Sequence, residues 1–292
     1  MKRTLKQFLD LLLFSNIFIA LCAVAQAMVT YQLLDARPDT YMLGFLFFAT
    51  LAMYNYSILL AKPKNPDSSK FRRVRWIFSH YRLTITITII AVFSLIPLSL
   101  FLSTTSLILL SFLAFFSITY NLPIFSIGGK KFGIRNIPGI KLFLIASIWA
   151  LSCVLLPIIE LESRGLLTVS TEDTILLVAK RFLFVAAITV PFDIRDLFED
   201  KRYELRTIPV ILGERKAYIL CLLLLVIYVI LLFLFNNHFD LNFVGLTITV
   251  IITAWLIFKS EWERNEYYYF LVLDGTLILQ CIVLMICRQF ER

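Results

Sequence analysis

Residues 173–202 read DTILLVAKRFLFVAAITVPFDIRDLFEDKR. The first two thirds of this stretch are apolar and long enough to cross a bilayer as a helix, and a run of acidic and basic residues follows. Within that run, Asp193, Asp196 and Asp200 stand at i, i+3 and i+7. On a helix this spacing places the three carboxylates within roughly 60° of one face. The stretch therefore predicts a membrane-spanning helix with carboxylates at one end.

The rest of the chain has the same apolar character. Of its 292 residues, 60% are hydrophobic and 16% are charged, and the mean hydropathy is +0.84. An ordinary soluble domain has a much lower apolar fraction. Windows of about 20 apolar residues recur with no long hydrophilic segment between them. We therefore expect an all-α, polytopic membrane helical bundle that forms a single domain over residues 1–292.

The apolar windows predict about nine membrane-spanning helices. Their approximate spans are 8–31, 41–61, 83–102, 106–121, 138–159, 173–192, 217–235, 241–258 and 269–287. Most of the 28 Lys and Arg residues lie at the N-terminus and in alternate connections. Because basic loops stay in the cytoplasm, this alternation places the N-terminus and the aspartate cluster on the cytoplasmic side of a bacterial inner membrane. The net charge of +8 follows from this topology, and we expect no nucleic-acid partner.

The aspartate cluster is the candidate site for chemistry. Clustered carboxylates repel one another unless a cation or basic side chains share them. Hard oxygen ligands suit Mg²⁺, which commonly binds through one or two carboxylates together with phosphates of a substrate. Asp193, Asp196 and Asp200 therefore outline a site for Mg²⁺ and a diphosphate. The alternative is a solvated helix end whose acids pair with the basic residues at 195, 201 and 202.

Further motifs accompany the acids. The sequence RTIPVILG follows at residues 206–213, and YNLP at 120–123 precedes RNIPGIK at 135–141. The DxxDxxxD pattern with its downstream loop resembles the second aspartate-rich motif of the UbiA superfamily of intramembrane prenyltransferases. The two earlier motifs resemble that superfamily's connection between its fourth and fifth helices. The resemblance covers essentially the whole chain and implies a UbiA-like bundle of nine helices.

The resemblance also implies an activity. Members transfer a prenyl group from an isoprenoid diphosphate to a lipophilic, often aromatic, acceptor within the bilayer. By this resemblance Asp193, Asp196 and Asp200 would hold Mg²⁺ against the diphosphate, while basic side chains on the same side neutralise the phosphates. The candidates on the diphosphate side are Asn55, Arg72, Arg135, Lys141 and Arg206.

The chain departs from the superfamily at the first aspartate-rich motif. The pattern NDxxDxxxD aligns with NYSILLAKP at residues 55–63, where only Asn55 matches. Tyr56, Leu59 and Pro63 replace the three acids, and none of these side chains suits Mg²⁺. Two hypotheses follow. One is a divergent, Mg²⁺-dependent prenyltransferase with a single metal cluster. The other is a non-catalytic UbiA-like protein that binds an isoprenoid lipid or supports a membrane complex.

Ionisable residues within the predicted spans are functional candidates, because burying them in a membrane is costly. Asp274 lies near the same end as Asp193, and we predict that it contributes to the polar site as a further metal ligand. Its alternative role is an interfacial acid paired with a basic loop residue. Lys180 and Arg181 are predicted to extend towards the outer face, with their charged ends at the interface.

Overall fold

The computed structural model describes residues 2–122, 125–127, 130–132, 137, 139–202, 205–236, 240–260 and 264–290. The helices are α1 (Lys2–Phe14), α2 (Ile17–Leu33), α3 (Thr40–Leu60), α4 (Arg72–Ser79), α5 (Tyr81–Ser99), α6 (Thr104–Asn121), α7 (Ile140–Ala150), α8 (Leu156–Ser163), α9 (Thr171–Arg195), α10 (Leu197–Arg202), α11 (Ile208–Leu212), α12 (Glu214–Asn236), α13 (Leu241–Phe258) and α14 (Gly275–Phe290). A two-stranded antiparallel hairpin, β1 (Phe125–Ile127) and β2 (Lys130–Phe132), lies between α6 and α7. The predicted fold class, an all-α membrane helical bundle, is confirmed, with this short hairpin as an addition in one connection.

Two π-helical turns interrupt the bundle's helices. Leu151–Leu155 joins α7 to α8, and Tyr268–Leu273 leads into α14 through Asp274. Such a turn admits one extra residue per turn and often marks a functional position. Both turns lie near the central cavity described below.

The described helices account for every predicted span, but not all have full membrane length. By length and composition, seven of the described helical segments can cross a membrane, or eight if the bent pair α1–α2 counts as one span. In this count Ile140–Ser163 (α7 to α8) and Tyr268–Phe290 (the second π-helical turn and α14) are one segment each. The apolar helix at Thr104–Tyr120 is shorter. The count of nine therefore stays a prediction.

The first predicted span, 8–31, is not one continuous helix. Helix α1 ends at Phe14, α2 begins at Ile17, and the two are bent by 61°. Asn16 forms the break in the left-handed backbone conformation, with φ at 69°. Asn tolerates this conformation better than most residues do. The break was not predicted because the surrounding sequence is uniformly apolar, and it turns the Asn16 side chain into the bundle.

Helix α9 is the central element. It packs against α7 and α12, and more of it is buried than of any other described helix of membrane length. The hydroxyl of Ser170 begins the helix by accepting a hydrogen bond from the backbone N–H of Asp173 at 3.0 Å. Glu172 and Asp173 in the first turn complement the helix dipole. The helix runs through Pro191 and ends at Arg195. Its last turn therefore carries Asp193 and leads directly into Asp196.

A buried carboxylate organises the opposite end of the bundle. Glu160 is 1% exposed and accepts hydrogen bonds from the Ser106 hydroxyl at 2.6 Å and from the Ser103 backbone N–H at 3.1 Å. It also accepts from the Arg164 guanidinium at 2.7 Å. Arg164 in turn reaches Asp39, whose carboxylate caps the start of α3. One acid therefore ties α8 to the beginning of α6 and, through Arg164, to α3.

We expect Glu160→Gln to lower the free energy of unfolding by about 1–3 kcal/mol, because the new amide would present a donor where three donors now converge. Thermal unfolding of the purified protein in detergent measures this. Glu172→Gln is the matched control, since Glu172 is exposed. Equal melting temperatures for the two variants would contradict the assignment of Glu160 as a structural tie.

Candidate functional site

A cavity of about 210 Å³ lies where α9 approaches its C-terminal end. Its lining residues come from helices α1, α2, α3, α4, α7, α9 and α14 and from the second π-helical turn. Its polar end carries Asp193 and Asp196, whereas Trp149, Val185 and Leu277 line its apolar end. The cavity therefore offers a charged region and a hydrophobic region to one ligand.

Three basic and three acidic side chains line the cavity. They are Arg73, Lys141, Arg195, Asp193, Asp196 and Asp274. The formal charges of this set cancel. An anionic ligand with several charges would therefore need additional positive charge to bind strongly.

Asp193 is held by Lys141. The Lys141 ammonium donates to Asp193 Oδ1 at 2.5 Å, and Asp193 is 1% exposed. Gly139, with a φ of 72°, precedes α7 and allows Lys141 to stand in the first turn of that helix. The other carboxylate oxygen, Asp193 Oδ2, is buried without a hydrogen-bond partner in the described residues. An unsatisfied carboxylate oxygen at a cavity wall is a candidate ligand for a cation.

Asp196 is turned towards Arg195. It occupies the non-helical residue between α9 and α10, and both of its oxygens accept from the Arg195 guanidinium, at 2.8 and 3.0 Å. That guanidinium also lies within 5.3 Å of four aromatic ring centroids. The rings belong to Phe71, Phe192, Tyr269 and Phe270. Cation–π attraction and the bidentate ion pair fix the guanidinium in place.

Asp200 lies outside the cavity lining but close to the same charges. It is 6% exposed and accepts a hydrogen bond from the Thr207 hydroxyl at 3.0 Å. Burial raises the pKa of the Asp200 carboxyl to about 6, against the opposing attraction of Lys141. The three carboxylates, predicted to share one helix face, are therefore divided. Asp193 and Asp200 lie near Lys141, and Asp196 pairs with Arg195.

Arg73 enters the cavity from the opposite wall. The carboxylate of Glu266 accepts from the backbone N–H groups of Arg72 at 2.5 Å and Arg73 at 2.9 Å, and so caps the start of α4. The Arg73 guanidinium donates to Asn16 Oδ1, and Asn16 donates to Asn55 Oδ1 at 2.7 Å. Burial, with Arg195 nearby, lowers the pKa of Arg73 to about 10, so it remains charged at neutral pH.

Asp274 lines the cavity as a carboxylate without a direct hydrogen-bond or ion-pair partner. It is 8% exposed, and its side chain makes no ion pair or hydrogen bond with any residue that the structure describes. The charges that act on it most are Arg73 and Arg195. A buried acid in a membrane bundle without a direct partner is a strong functional candidate.

The predicted diphosphate-side residues are only partly gathered here. Lys141 lines the cavity; Asn55 does not, because it is fully buried beneath Asn16. Arg72 is directed away and pairs with Asp10 and the Tyr267 hydroxyl. Arg206 is exposed and outside the lining. Arg135 lies outside the described residues.

Of the arginines at 72, 73 and 75, which follow the first motif, the sequence interpretation favoured Arg72, and it did not place Arg195 in the cavity. Arg73 is one residue away from the predicted Arg72, but consecutive helical positions point about 100° apart, so only one of the two faces the cavity. Arg195 lies within the aspartate motif and was interpreted only as a neutralising neighbour. The rings packed around it, such as Phe270, are far from it in sequence and give no local signal.

The prediction for Lys180 and Arg181 was wrong: neither extends to the interface. They are 3% and 6% exposed. Arg181 donates to the Gln26 carbonyl oxygen at 3.0 Å. The Lys180 ammonium lies 3.9 Å from the centroid of the Phe235 ring. Both charges are therefore inside the bundle.

Three solved structures share this architecture. An apo UbiA homologue from Aeropyrum pernix K1 matches with a TM-score of 0.65 and 15% identity, over 94% of this chain and 98% of that chain. A UbiA homologue from Archaeoglobus fulgidus bound to GPP and Mg²⁺ matches at 0.63 and 12%, over 96% and 99%. A digeranylgeranylglyceryl phosphate synthase matches at 0.53 and 17%, over 95% and 97%.

The chain has the UbiA fold. The likeness extends over nearly the full length of each chain, so the predicted resemblance is confirmed for the whole architecture. Sequence comparison adds nothing to this, since no protein-family profile and no curated protein matches the chain. At these low identities the fold is shared, and the chemistry has to be argued from the residues of this chain.

On this UbiA fold, the predicted three-carboxylate metal site is not assembled. Among the residues that the structure describes, no group of three or more His, Cys, Asp or Glu side chains is arranged to hold a metal ion. The physical reason is that Lys141, Arg195 and Thr207 take oxygens of the three aspartates. Within this motif, Asp193 Oδ2 is a buried oxygen without a hydrogen-bond partner among the described residues.

The raised pKa of Asp200 predicts a pH-dependent stability. Because the folded protein holds this proton more tightly than the unfolded chain, the contribution of Asp200 is greatest below its ordinary pKa of 3.8 and declines as the pH rises to about 6. We expect Asp200→Asn to raise the melting temperature at pH 7.5 and to leave it unchanged near pH 4. Melting curves from pH 4 to 8 test this. A uniform shift at every pH would mean that ionisation is not the cause.

Proposed function

We propose that this chain transfers the prenyl group of an isoprenoid diphosphate to a lipophilic acceptor inside the membrane. The observation that carries this proposal is the two-part cavity, with Arg73, Lys141 and Arg195 at its polar end and aromatic and aliphatic walls beyond them. An isoprenoid diphosphate has the same two parts. The UbiA homologues of Archaeoglobus fulgidus bound to GPP or to DMAPP and Mg²⁺ support the assignment.

The charge balance supports a role for Mg²⁺. A diphosphate brings more than the roughly two negative charges of a single phosphate group, and the cavity's own charges already cancel. Asp193 Oδ2 is the side-chain oxygen best placed to hold the ion, and Mg²⁺ commonly uses only one or two carboxylates when phosphates complete its shell. The residues therefore fit one Mg²⁺ at Asp193. When bound, the ion would neutralise charge on the departing diphosphate.

Two arginine side chains of the cavity can bind the phosphates and stabilise their charge. Arg73 and Arg195 each retain a buried guanidinium nitrogen without a partner in the described residues, Arg73 Nε and Arg195 Nη1. These N–H groups can donate to phosphate oxygens and stabilise the charge that develops as the allylic carbon–oxygen bond breaks with its electron pair. The acceptor then bonds to that carbon and loses a proton.

Aromatic side chains can stabilise the positive charge on the allylic carbon. Phe270 lies 4.6 Å from the Arg73 guanidinium by its ring centroid and also lines the cavity, next to Phe192. Tyr54 and Trp149 face the cavity and are joined by a hydrogen bond of 3.3 Å. Rings at these positions attract cations through their faces and exclude water from a reactive intermediate.

We place the polar end of the cavity on the cytoplasmic side of a bacterial inner membrane. The loops at that end carry most of the basic residues, and such loops are retained in the cytoplasm. A water-soluble or membrane-borne diphosphate would enter from that side.

A non-catalytic isoprenoid-binding protein is the second candidate. The acids lost at Tyr56, Leu59 and Pro63 and the incomplete metal site favour it. The two functions differ in one observable. The enzyme releases inorganic diphosphate from geranyl diphosphate when a suitable acceptor is supplied, and the binding protein returns the diphosphate intact.

We expect a non-hydrolysable geranyl diphosphate analogue to bind the purified protein in the presence of Mg²⁺, and we expect Asp193→Asn to abolish the contribution of Mg²⁺. Arg73→Gln should weaken binding about tenfold or more, because it removes a charged donor from the phosphates. Isothermal titration in detergent measures both effects.

Arg75→Gln provides the control for Arg73, since Arg75 lies exposed on the same helix. The proposal fails if no isoprenoid diphosphate analogue of any chain length shows Mg²⁺-dependent binding. Equal effects of the two arginine substitutions would show that only general surface charge is involved.

Asp274→Asn gives a prediction of opposite sign. Removing this acid shifts the cavity's balance by one positive charge next to Arg73 and Arg195, so the analogue should bind about tenfold more tightly without Mg²⁺, a change of roughly 1.4 kcal/mol. Asp67→Asn removes a charge from an exposed loop residue and serves as the control. Unchanged binding with and without Mg²⁺ would exclude Asp274 from the site, and weaker binding with Mg²⁺ would instead make it a metal ligand.

A further inference from the structure

A layer of buried polar side chains lies directly beyond the apolar end of the cavity. We define this polar layer as Gln26 of α2, Arg181 of α9, Tyr228 of α12 and Gln280 of α14. Their exposed fractions are 0% for Gln26, 6% for Arg181, 4% for Tyr228 and 0% for Gln280. None of them lines the cavity.

Helix geometry places this layer one turn below the cavity floor. Val185 and Leu277 are among the deepest lining residues, and Arg181 and Gln280 stand four and three positions further along the same helices. Side chains at these offsets lie on the same helical face, about 5 Å apart along the axis. The Gln26 amide confirms the adjacency, because it donates to the Leu277 carbonyl oxygen at 2.7 Å.

Hydrogen bonds connect the layer across four helices. The Gln26 amide also donates to Gln280 Oε1 at 3.2 Å, and the Gln280 amide donates to the Tyr228 hydroxyl at 3.3 Å. Arg181 donates to the Gln26 carbonyl oxygen at 3.0 Å. The layer is therefore a continuous polar barrier across the middle of the bundle.

The layer resists displacement by hydrocarbon. Arg181 makes no ion pair with any residue that the structure describes, and the groups that act on its charge are Cys153, Tyr228 and Cys281. Its Nε already lacks a partner, as does Gln26 Oε1. An isoprenoid tail entering the layer would remove the remaining hydrogen bonds and replace them with none, leaving a guanidinium in apolar surroundings.

From this geometry we infer that the polar layer limits the donor to about two isoprene units, an inference that rests on the proposed prenyl transfer. Eight residues separate Asp193 from Val185, or about 12 Å along α9. An isoprene unit adds four main-chain bonds of about 1.5 Å each, or roughly 5 Å in a zigzag chain. Two units, about 10 Å, fit above Val185. A third, about 15 Å in all, would extend past the cavity floor towards Arg181, which lies twelve residues or about 18 Å from Asp193 along α9.

The test is a chain-length series on the full-length protein in detergent with Mg²⁺. The probes are thiolodiphosphate analogues of dimethylallyl, geranyl, farnesyl and geranylgeranyl diphosphate, with affinities from isothermal titration. We expect geranyl to bind most tightly and the farnesyl and geranylgeranyl analogues to bind at least tenfold more weakly. Equal affinity for the geranyl and geranylgeranyl analogues overturns the inference, because the longer tail would then leave the cavity sideways.

Two variants locate the limit. Val185→Phe shortens the cavity from its floor. We expect it to lower the affinity for the geranyl analogue at least tenfold and to leave the affinity for the dimethylallyl analogue unchanged. The triple variant Gln26→Leu/Arg181→Leu/Gln280→Leu removes three polar side chains from the layer. Size-exclusion elution and thermal unfolding like those of the wild type show that it folds. In this folded variant, we expect the affinity for the farnesyl analogue to rise relative to the affinity for the geranyl analogue. Thr249→Val, a buried substitution in α13 away from the cavity, is the control.

The outcomes separate the two proposals. If no analogue of any length binds, the proposed function fails and the inference falls with it. If analogues bind but neither Val185→Phe nor the triple variant changes the ratio between chain lengths, prenyl-diphosphate binding stands and the polar layer has no part in selecting the chain.

Discussion

The ion pair between Lys141 and Asp193 determines how the polar end of this bundle works. It joins the first turn of α7 to the last turns of α9, at 2.5 Å and with Asp193 almost fully buried. A carboxylate in such surroundings needs a cation, and Lys141 satisfies only one of its two oxygens. The remaining oxygen, Oδ2, is buried without a partner among the described residues. The same contact therefore joins two helices and leaves one carboxylate oxygen for the Mg²⁺ that we propose.

The α3 side of the cavity contributes Tyr54 and no carboxylate among the described lining residues. Tyr56, Leu59 and Pro63 stand where the sequence resemblance leads us to expect acids. Arg73 is instead held by the neutral Asn16, which is supported by Asn55. Of the acids that line the cavity, Asp274 on the last span acts most on the charge of Arg73. An acid from a different helix therefore balances part of this charge, which a comparison of motifs alone would not reveal.

Apolar windows and the spacing of acids predict the helix content, the membrane class and the helix end that carries the aspartates, because these three features depend on local sequence. The break at Asn16 does not, since a single Asn within an apolar run gives no warning of a left-handed residue. The sequence interpretation favoured Arg72, whereas Arg73 lines the cavity, because which of the two side chains points inward depends on where α4 begins. The Glu266 carboxylate, nearly two hundred residues away, caps that start. The burial of Arg181 also could not be predicted from its neighbours in sequence, since its hydrogen-bond partner is the carbonyl oxygen of Gln26 on another helix.

The cavity lies between two polar regions, and both contain buried atoms without a hydrogen-bond partner among the described residues. At the polar end, these atoms belong to Arg73, Asp193 and Arg195, which line the cavity. At the deep end, Gln26, Gln280 and Tyr228 are hydrogen-bonded to one another, while Gln26 Oε1 and Arg181 Nε lack partners in the part of the chain that the structure describes. The proposed diphosphate would supply partners to the first region, whereas a hydrocarbon tail would remove existing hydrogen bonds from the second. Both proposals therefore rest on one physical cause, the cost of an unsatisfied polar group inside a membrane.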